Sequence, residues 1–394
     1  MADRYRILVL NQISDAGLKR LPAGIYDCSR EVANPDAVLV RSADMHAVTI
    51  PESVKAIGRA GAGTNNIPVK DMSARGIPVF NAPGANANAV KELVLAGMLM
   101  AARNLVPAVD FVRALEGDDR SLHGQVEEGK KQFAGIELPN HTLGVIGLGK
   151  IGSLVADAAI RLGMNVLGFD PEITVEAAWS LSSQVRKAHS IDEVLKGSHF
   201  VTLHVPLVEA TRHLVNQRNL QGVRPGTVLL NFSREGIVDD AAVVEALAAK
   251  RLRYYVTDFP SSVLDAHAGV IALPHLGAST LEAEENCAVM VVDQLREFLE
   301  NGNIVNSVNF PTVTMQREAP FRLCVVHANV PNMVGQISAT MGESGLNIHN
   351  MINKSRDELA YTLLDVDSAP PPPVLATLRS IEGVMHARFL SAAR

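Results

Sequence analysis

The chain has 394 residues, 20% of them charged and 47% hydrophobic, with a formal net charge of −6. That length exceeds one comfortable core and implies two or three domains, and a mildly acidic surface offers no general attraction to nucleic acid or anionic lipid. No apolar run approaches the roughly 20 residues that span a bilayer, MADRYRILVLN lacks the apolar core of a signal peptide, and Cys28, Cys287 and Cys324 are too scattered for a disulfide framework or a zinc site. The expectation is a cytoplasmic protein with no metal, membrane or nucleic-acid partner.

In chain order, short apolar runs at Ile7 to Leu10, Ala37 to Val40, Val54 to Ile57 and Ile77 to Phe80 alternate with helix-like segments. Strands alternating with helices predict a parallel sheet, so a small α/β domain comes first. Two of its strand-end loops carry chemistry. In GRAGAGTNNI, Gly58 to Ile67, consecutive backbone amides can hold an anion such as a carboxylate, with Arg59 adding a cation; the same residues also suit a plain turn with glycine at positive φ. The second loop, NAPGANANAV from Asn81 to Val90, leads into a long apolar helix, Val90 to Asn104, that bridges to the next domain. Residues 105–141 are more polar and read as exposed connections.

Thr142 to Gly152, TLGVIGLGKIG, is an apolar strand that meets three glycines and then a helix with apolar periodicity from Ser153 to Leu162. Gly147 permits the tight turn, Gly149 lets a pyrophosphate approach the backbone, and Gly152 lets helix pack close to strand. Phosphates would rest on the free amides around Lys150 and Ile151, at the positive end of the helix. A second strand, Asn165 to Phe169, ends in Asp170, 18 residues beyond Gly152, where an acid fits the ribose hydroxyls of an adenosine. No Arg follows in Pro171-Glu172-Ile173 to bind a 2′-phosphate, which favours NAD over NADP.

Further strands are expected at Phe200 to Val205, Thr227 to Asn231 and Tyr254 to Thr257, with helices between. Such a doubly wound sheet binds ligands at the carboxyl ends of its strands. Those ends read His204-Val205-Pro206, Asn231-Phe232-Ser233-Arg234 and Asp258-Phe259-Pro260. A fourth loop, PHLGAST from Pro274 to Thr280, precedes a long helix, Leu281 to Asn301, which returns the chain to the first domain. The expected organisation is a substrate domain from 1–97 and 276–307, a nucleotide domain from 98–275 inserted in it, a linker at 308–319 and a further domain at 320–394. That last domain has the order strand, helix, strand, strand, helix, strand, an antiparallel sheet with two helices on one face. Pro370 to Pro373 mark a stiff loop within it.

GLGKIG, HVPLVEATRHLVN, NFSREGIVDDAAVVEAL and PHLGAST, in that order, resemble the D-2-hydroxyacid dehydrogenase family, and the resemblance runs from the first strand to about Asn309. It implies an α/β fold with a Rossmann nucleotide domain inserted in a smaller substrate domain, and hydride transfer with NAD. The C-terminal βαββαβ unit looks like an ACT domain, which together with the rest implies oxidation of 3-phosphoglycerate to 3-phosphohydroxypyruvate, opening a route to serine. By resemblance Arg234 binds the substrate carboxylate and keto oxygen, and a planar guanidinium fork suits that task. His275 is the acid/base, a group that titrates near neutrality. Ala62 and Gly63 supply amides to the carboxylate, and Arg59 contacts the phosphate. Asp258 holds the nicotinamide carboxamide, His204 and Pro206 flank the adenosine, and Phe232 and Ser233 belong to the cofactor site. Lys130 and Lys131 are weaker phosphate candidates. His327, Asn329 and Asn347 match positions that hold a serine effector across a dimer interface, so a homodimer or homotetramer is implied.

Two departures stand out. The family usually carries a Glu that pairs with the catalytic histidine, yet no Glu occurs between Glu245 and Glu282. Asp258 or Asp265 substitutes, or His275 works without a carboxylate partner. In the ACT-like unit the usual Gly after Pro331 is Asn332. Two other readings stay open: a dehydrogenase of glyoxylate, hydroxypyruvate or another 2-hydroxy acid, and an NAD-sensing interaction protein.

Overall fold

The computed structural model describes residues 4–265 and 267–391. It divides into two compact units, Met1–Asn86 with Leu281–Arg394, and Ala87–Thr280. The first unit begins with five parallel strands: β1 (Tyr5–Val9), β2 (Tyr26–Ser29), β3 (Ala37–Val40), β4 (Ala56–Arg59) and β5 (Val79–Phe80), in the order β2-β1-β3-β4-β5. Central β3 reads AVLV and is wholly buried, as a strand covered on both faces requires. Helix Leu281–Asn301 covers this sheet, with Val291 and Leu295 so close to Gly58 that a Cβ there would lie 2.7 Å from Leu295 Cδ1.

The second unit holds seven parallel strands: β6 (Thr142–Ile146), β7 (Asn165–Phe169), β8 (Val185–Lys187), β9 (Phe200–Leu203), β10 (Thr227–Asn231), β11 (Leu252–Thr257) and β12 (Val270–Ala272). Their order, β12-β11-β10-β9-β6-β7-β8, reverses direction between β6 and β9, which makes a crevice at the carboxyl ends of those two strands. Helix Ala87–Ala102 belongs entirely to this unit because Val90, Val94, Met98 and Ala101 pack in one core with Val145, Val228 and Leu230. The boundary thus lies nearer Asn86 than residue 97. The stretch 105–141, expected as connections, contains helices Leu105–Arg113 and Asp119–Gly129, neither of which buries a residue in this chain. Among the described residues no single helix is long and apolar enough to cross a membrane.

The C-terminal part of the first unit is an antiparallel sheet of β13 (Phe321–Ala328), β14 (Ile348–Arg356), β15 (Leu359–Val366) and β16 (Val384–Leu390), ordered β14-β15-β13-β16. Helices Met333–Glu343 and Pro372–Ser380 pack on it. Two expectations need correction. Pro372 and Pro373 open a helix rather than extend a loop, because the first turn has no use for the N–H that proline lacks. Residues 308–319 are no free linker: Phe310, Val313 and Met315 are buried in the core shared with Phe298 and Tyr361, and Val313 exchanges backbone hydrogen bonds with Ile304. Arg322 and Asp365, both fully buried, join this sheet to the end of the long helix. All five guanidinium N–H groups are used, on both Asp365 oxygens and the carbonyls of Asn301, Met315 and Gln316.

Candidate active site

At the end of β6 the backbone turns sharply, with Gly147 at φ +90°, where a Cβ would lie 2.4 Å from His204 O. Gly149 faces open space and precedes helix Lys150–Arg161, so the first-turn amides are presented without a side chain in front of them. A Cβ on Gly152 would lie 1.9 Å from Gly147 O, so only glycine lets this helix start so near the strand. At the end of β7, half-buried Asp170 accepts from Leu148 N (2.8 Å) and Glu172 N (3.0 Å), which fixes the carboxylate beside the glycine turn. Across the crevice, the His204 amide bonds Ile146 O, and its ring Nε2 lies 3.0 Å from Thr202 Oγ1. Burial pushes this imidazole down to about 3, so it is neutral near pH 7. Pro206 beyond it is exposed.

The ends of β10, β11 and β12 supply the groups with reactive chemistry. Asn231 holds the first turn, accepting from Ser233 N and donating to Arg234 O (3.0 Å), while the Ser233 hydroxyl donates to Val205 O. Phe232 is buried against Gly97, and Arg234 extends into solvent with Nη1 on Ser233 O (2.7 Å). Asp258 is 1% exposed, and its oxygens accept from Leu276 N (2.7 Å) and Gly277 N (2.8 Å). His275 is exposed, with φ +57°, and its ring meets Phe259 edge to face at 5.1 Å. Among the described residues no carboxylate pairs with its imidazole. Asp258 is occupied by the backbone, and Asp265 lies exposed on a turn.

In the other unit, Arg59 ends β4 and folds over its own loop, with Nε on Asn66 Oδ1 (3.0 Å); Asn66 in turn donates to Ala43 O. Ala62 and Gly63 are half-buried, and Ala62 O accepts from Asn81 Nδ2 (2.6 Å). Asn66 and Asn81 are the ties of this loop, and an Asn beside a glycine-rich turn is the only mark they leave in the sequence. Lys130 and Lys131 are exposed, and Lys130 pairs with Glu127 at 2.5 Å.

The proposed effector residues do not meet within one chain. His327 is 2% exposed, its ring nitrogens engaged by Ala328 O (2.8 Å), Thr362 Oγ1 (2.9 Å) and Asn353 Oδ1 (3.2 Å). Asn329 follows the end of β13 that pairs with Leu359, whereas Asn347 precedes the end of β14 that pairs with Val366, so the two Asn stand at opposite ends of the sheet. Asn332 adopts φ +68° where glycine was expected, a conformation Asn tolerates.

Residues 95–277 match the model of the D-isomer specific 2-hydroxyacid dehydrogenase NAD binding domain. The chain is 32% identical over 347 residues to the D-3-phosphoglycerate dehydrogenase of Haemophilus influenzae, covering 85% of this chain and 81% of that enzyme. The chain belongs to the D-isomer-specific 2-hydroxyacid dehydrogenases. It is also 35% identical over 308 residues to the D-3-phosphoglycerate dehydrogenase of Methanocaldococcus jannaschii, covering 74% of this chain but only 56% of that longer relative. Among solved structures, NAD-bound 3-phosphoglycerate dehydrogenase of Entamoeba histolytica is similar, with TM-score 0.59 and 25% identity over 78% of this chain and 99% of that one. This dehydrogenase is NAD-dependent, and its glycine turn fits the cofactor: Gly149 leaves room for a pyrophosphate before the helix amides, and Asp170 offers a carboxylate to a ribose.

Proposed function

We propose that the protein oxidises 3-phospho-D-glycerate to 3-phosphohydroxypyruvate, the first step of the phosphorylated route to L-serine. The observation that carries the reading is the pair Arg234 and His275, set on strand ends of the same NAD-binding sheet in a chain whose curated relatives include D-3-phosphoglycerate dehydrogenases. The Arg234 guanidinium takes the substrate carboxylate, and its charge polarises the carbon–oxygen bond as the ketone forms. His275 accepts the hydroxyl proton. Bound NAD supplies the hydride acceptor. Asp170 orients the adenosine ribose, and neutral His204 lines the adenosine with Pro206 without adding charge. In the other unit, the loop amides of Ala62 and Gly63 suit a carboxylate and Arg59 suits a phosphate.

Two further parts of the reading concern assembly. Helix Leu105–Arg113 exposes an apolar stripe that supports a homodimer. L-serine is the proposed effector, and because Asn329 and Asn347 lie at opposite ends of the sheet, a site built from both needs a second copy of the chain. The test is NADH formation by purified protein over a panel of 2-hydroxy acids, with and without serine. The expected result is strongest turnover of 3-phosphoglycerate, lowered by serine and reduced roughly 10²–10⁴-fold in His275→Ala. Preference for glyoxylate or hydroxypyruvate, or full turnover in His275→Ala, overturns the assignment.

A further inference from the structure

We infer that Asp258 and Phe259 are positioning residues for His275, acting on its backbone and on its ring where an acidic partner would act on its imidazole nitrogen. The inference rests on the reading of His275 as the proton-transfer group. His275 is a non-glycine residue held at φ +57°, a conformation that costs free energy and persists only when neighbours enforce it. Enforcement comes from one dipeptide at the end of β11. Both oxygens of the Asp258 side chain accept from consecutive amides, Leu276 N and Gly277 N, immediately after the histidine. Two amides converging on one carboxylate require the chain to curl, and the curl places His275 in the left-handed region. The next residue, Phe259, puts its ring edge to face against the imidazole at 5.1 Å, which restricts the side-chain torsion that the backbone clasp leaves free.

The clasp is itself anchored. Asp258 N bonds Asn231 O in β10 and Leu273 N bonds Thr257 O, so both sides of the loop are tied to the sheet. Gly277 is buried, and a Cβ there would lie 3.3 Å from Asp258 Oδ2, so a larger residue would press on the acceptor. Because Asp258 is buried and both its oxygens are occupied, the missing Glu is not replaced by a second acid at the imidazole. It is replaced by holding the imidazole still.

The experiment pairs hydrogen–deuterium exchange over residues 273–280 with steady-state kinetics and NAD titration. In Asp258→Asn, one position that accepted now carries N–H groups facing an N–H, so exchange at Leu276 and Gly277 should accelerate. The kcat at saturating NAD should fall roughly 100-fold, beyond any change in the NAD dissociation constant; Asp258→Glu, which keeps two acceptors, should recover part of it. Phe259→Ala should lower kcat while leaving exchange at those two amides as in the wild type, and Phe259→Tyr should restore it. Unchanged exchange in Asp258→Asn overturns the clasp. Weakened NAD binding with kcat intact at saturating NAD also overturns it and assigns Asp258 to the cofactor alone. Wild-type protein that oxidises no 2-hydroxy acid sinks the proposed reaction but not the clasp, whose exchange readout needs no substrate.

Discussion

Burial drives the His204 imidazole from its ordinary 6.5 down to about 3, and this has a measurable consequence for stability. In the unfolded chain a histidine binds a proton near 6.5, whereas the folded His204 refuses one until about 3. Between those values the unfolded state holds more protons, so stability rises with pH through the window and is lost as pH falls. His199 and His386 are also shifted down, chiefly by burial, and add to the same slope. Urea midpoints measured across the window should therefore decline with acid in the wild type and decline less steeply in His204→Gln; an identical slope would mean that His204 stays solvated. At this scale the sequence was an uneven guide. Gly147 and Gly152 were legible because a backbone turn and a close approach impose glycine whatever surrounds them. The engagement of Asp258 was not, because its partners lie 18 and 19 residues on and are backbone amides, which no side-chain pattern announces.

Most elements that bury a face were legible as elements, and several that do not were missed. Strands β2 and β8 lie at sheet edges, with patterns dominated by exposed residues, and neither YDCS nor VRK alternates or runs apolar. Helix Leu105–Arg113 shows the same blindness with a further implication. Leu105, Val106, Val109 and Val112 are exposed at 45%, 38%, 46% and 57%, one stripe at positions i, i+1, i+4 and i+7. A contiguous exposed apolar stripe on a helix marks a protein contact. If a second copy covers it, Val109→Lys should convert dimer to monomer in light scattering after size exclusion, with the circular dichroism unaltered. A dimer that survives this charge would place the interface elsewhere.

For the whole molecule, the C-terminal antiparallel sheet expected from the sequence is present, with a core of its own, and it packs within the same compact unit as the first parallel sheet. A buried ion pair ties it there: Arg322 and Asp365 are both fully buried and satisfied, Arg322 also bonds the carbonyls of Asn301, Met315 and Gln316, and leaving either charge without the other strands it in the core. Asp365→Ala should cost about 3–5 kcal/mol of stability, read from denaturant midpoints, and a loss below about 1 kcal/mol, the range of an exposed pair, would show that solvent reaches the site. The terminal carbonyls of helix Leu281–Asn301 extend the point. Phe298 O is taken by Arg388, Asn301 O by Arg322, and Gly302 O just beyond by the Tyr361 hydroxyl. Carbonyls at a helix end lack some partners within the helix, and here they are met from both sheets of the unit: Leu299 O accepts from the Tyr5 hydroxyl of β1, while β13, β15 and β16 supply the groups on Asn301 O, Gly302 O and Phe298 O, the last also bonded by Gly302 N. A helix whose closing carbonyls are held by a sheet before it and a sheet after it acts as a shared brace, so loosening its last turn loosens both.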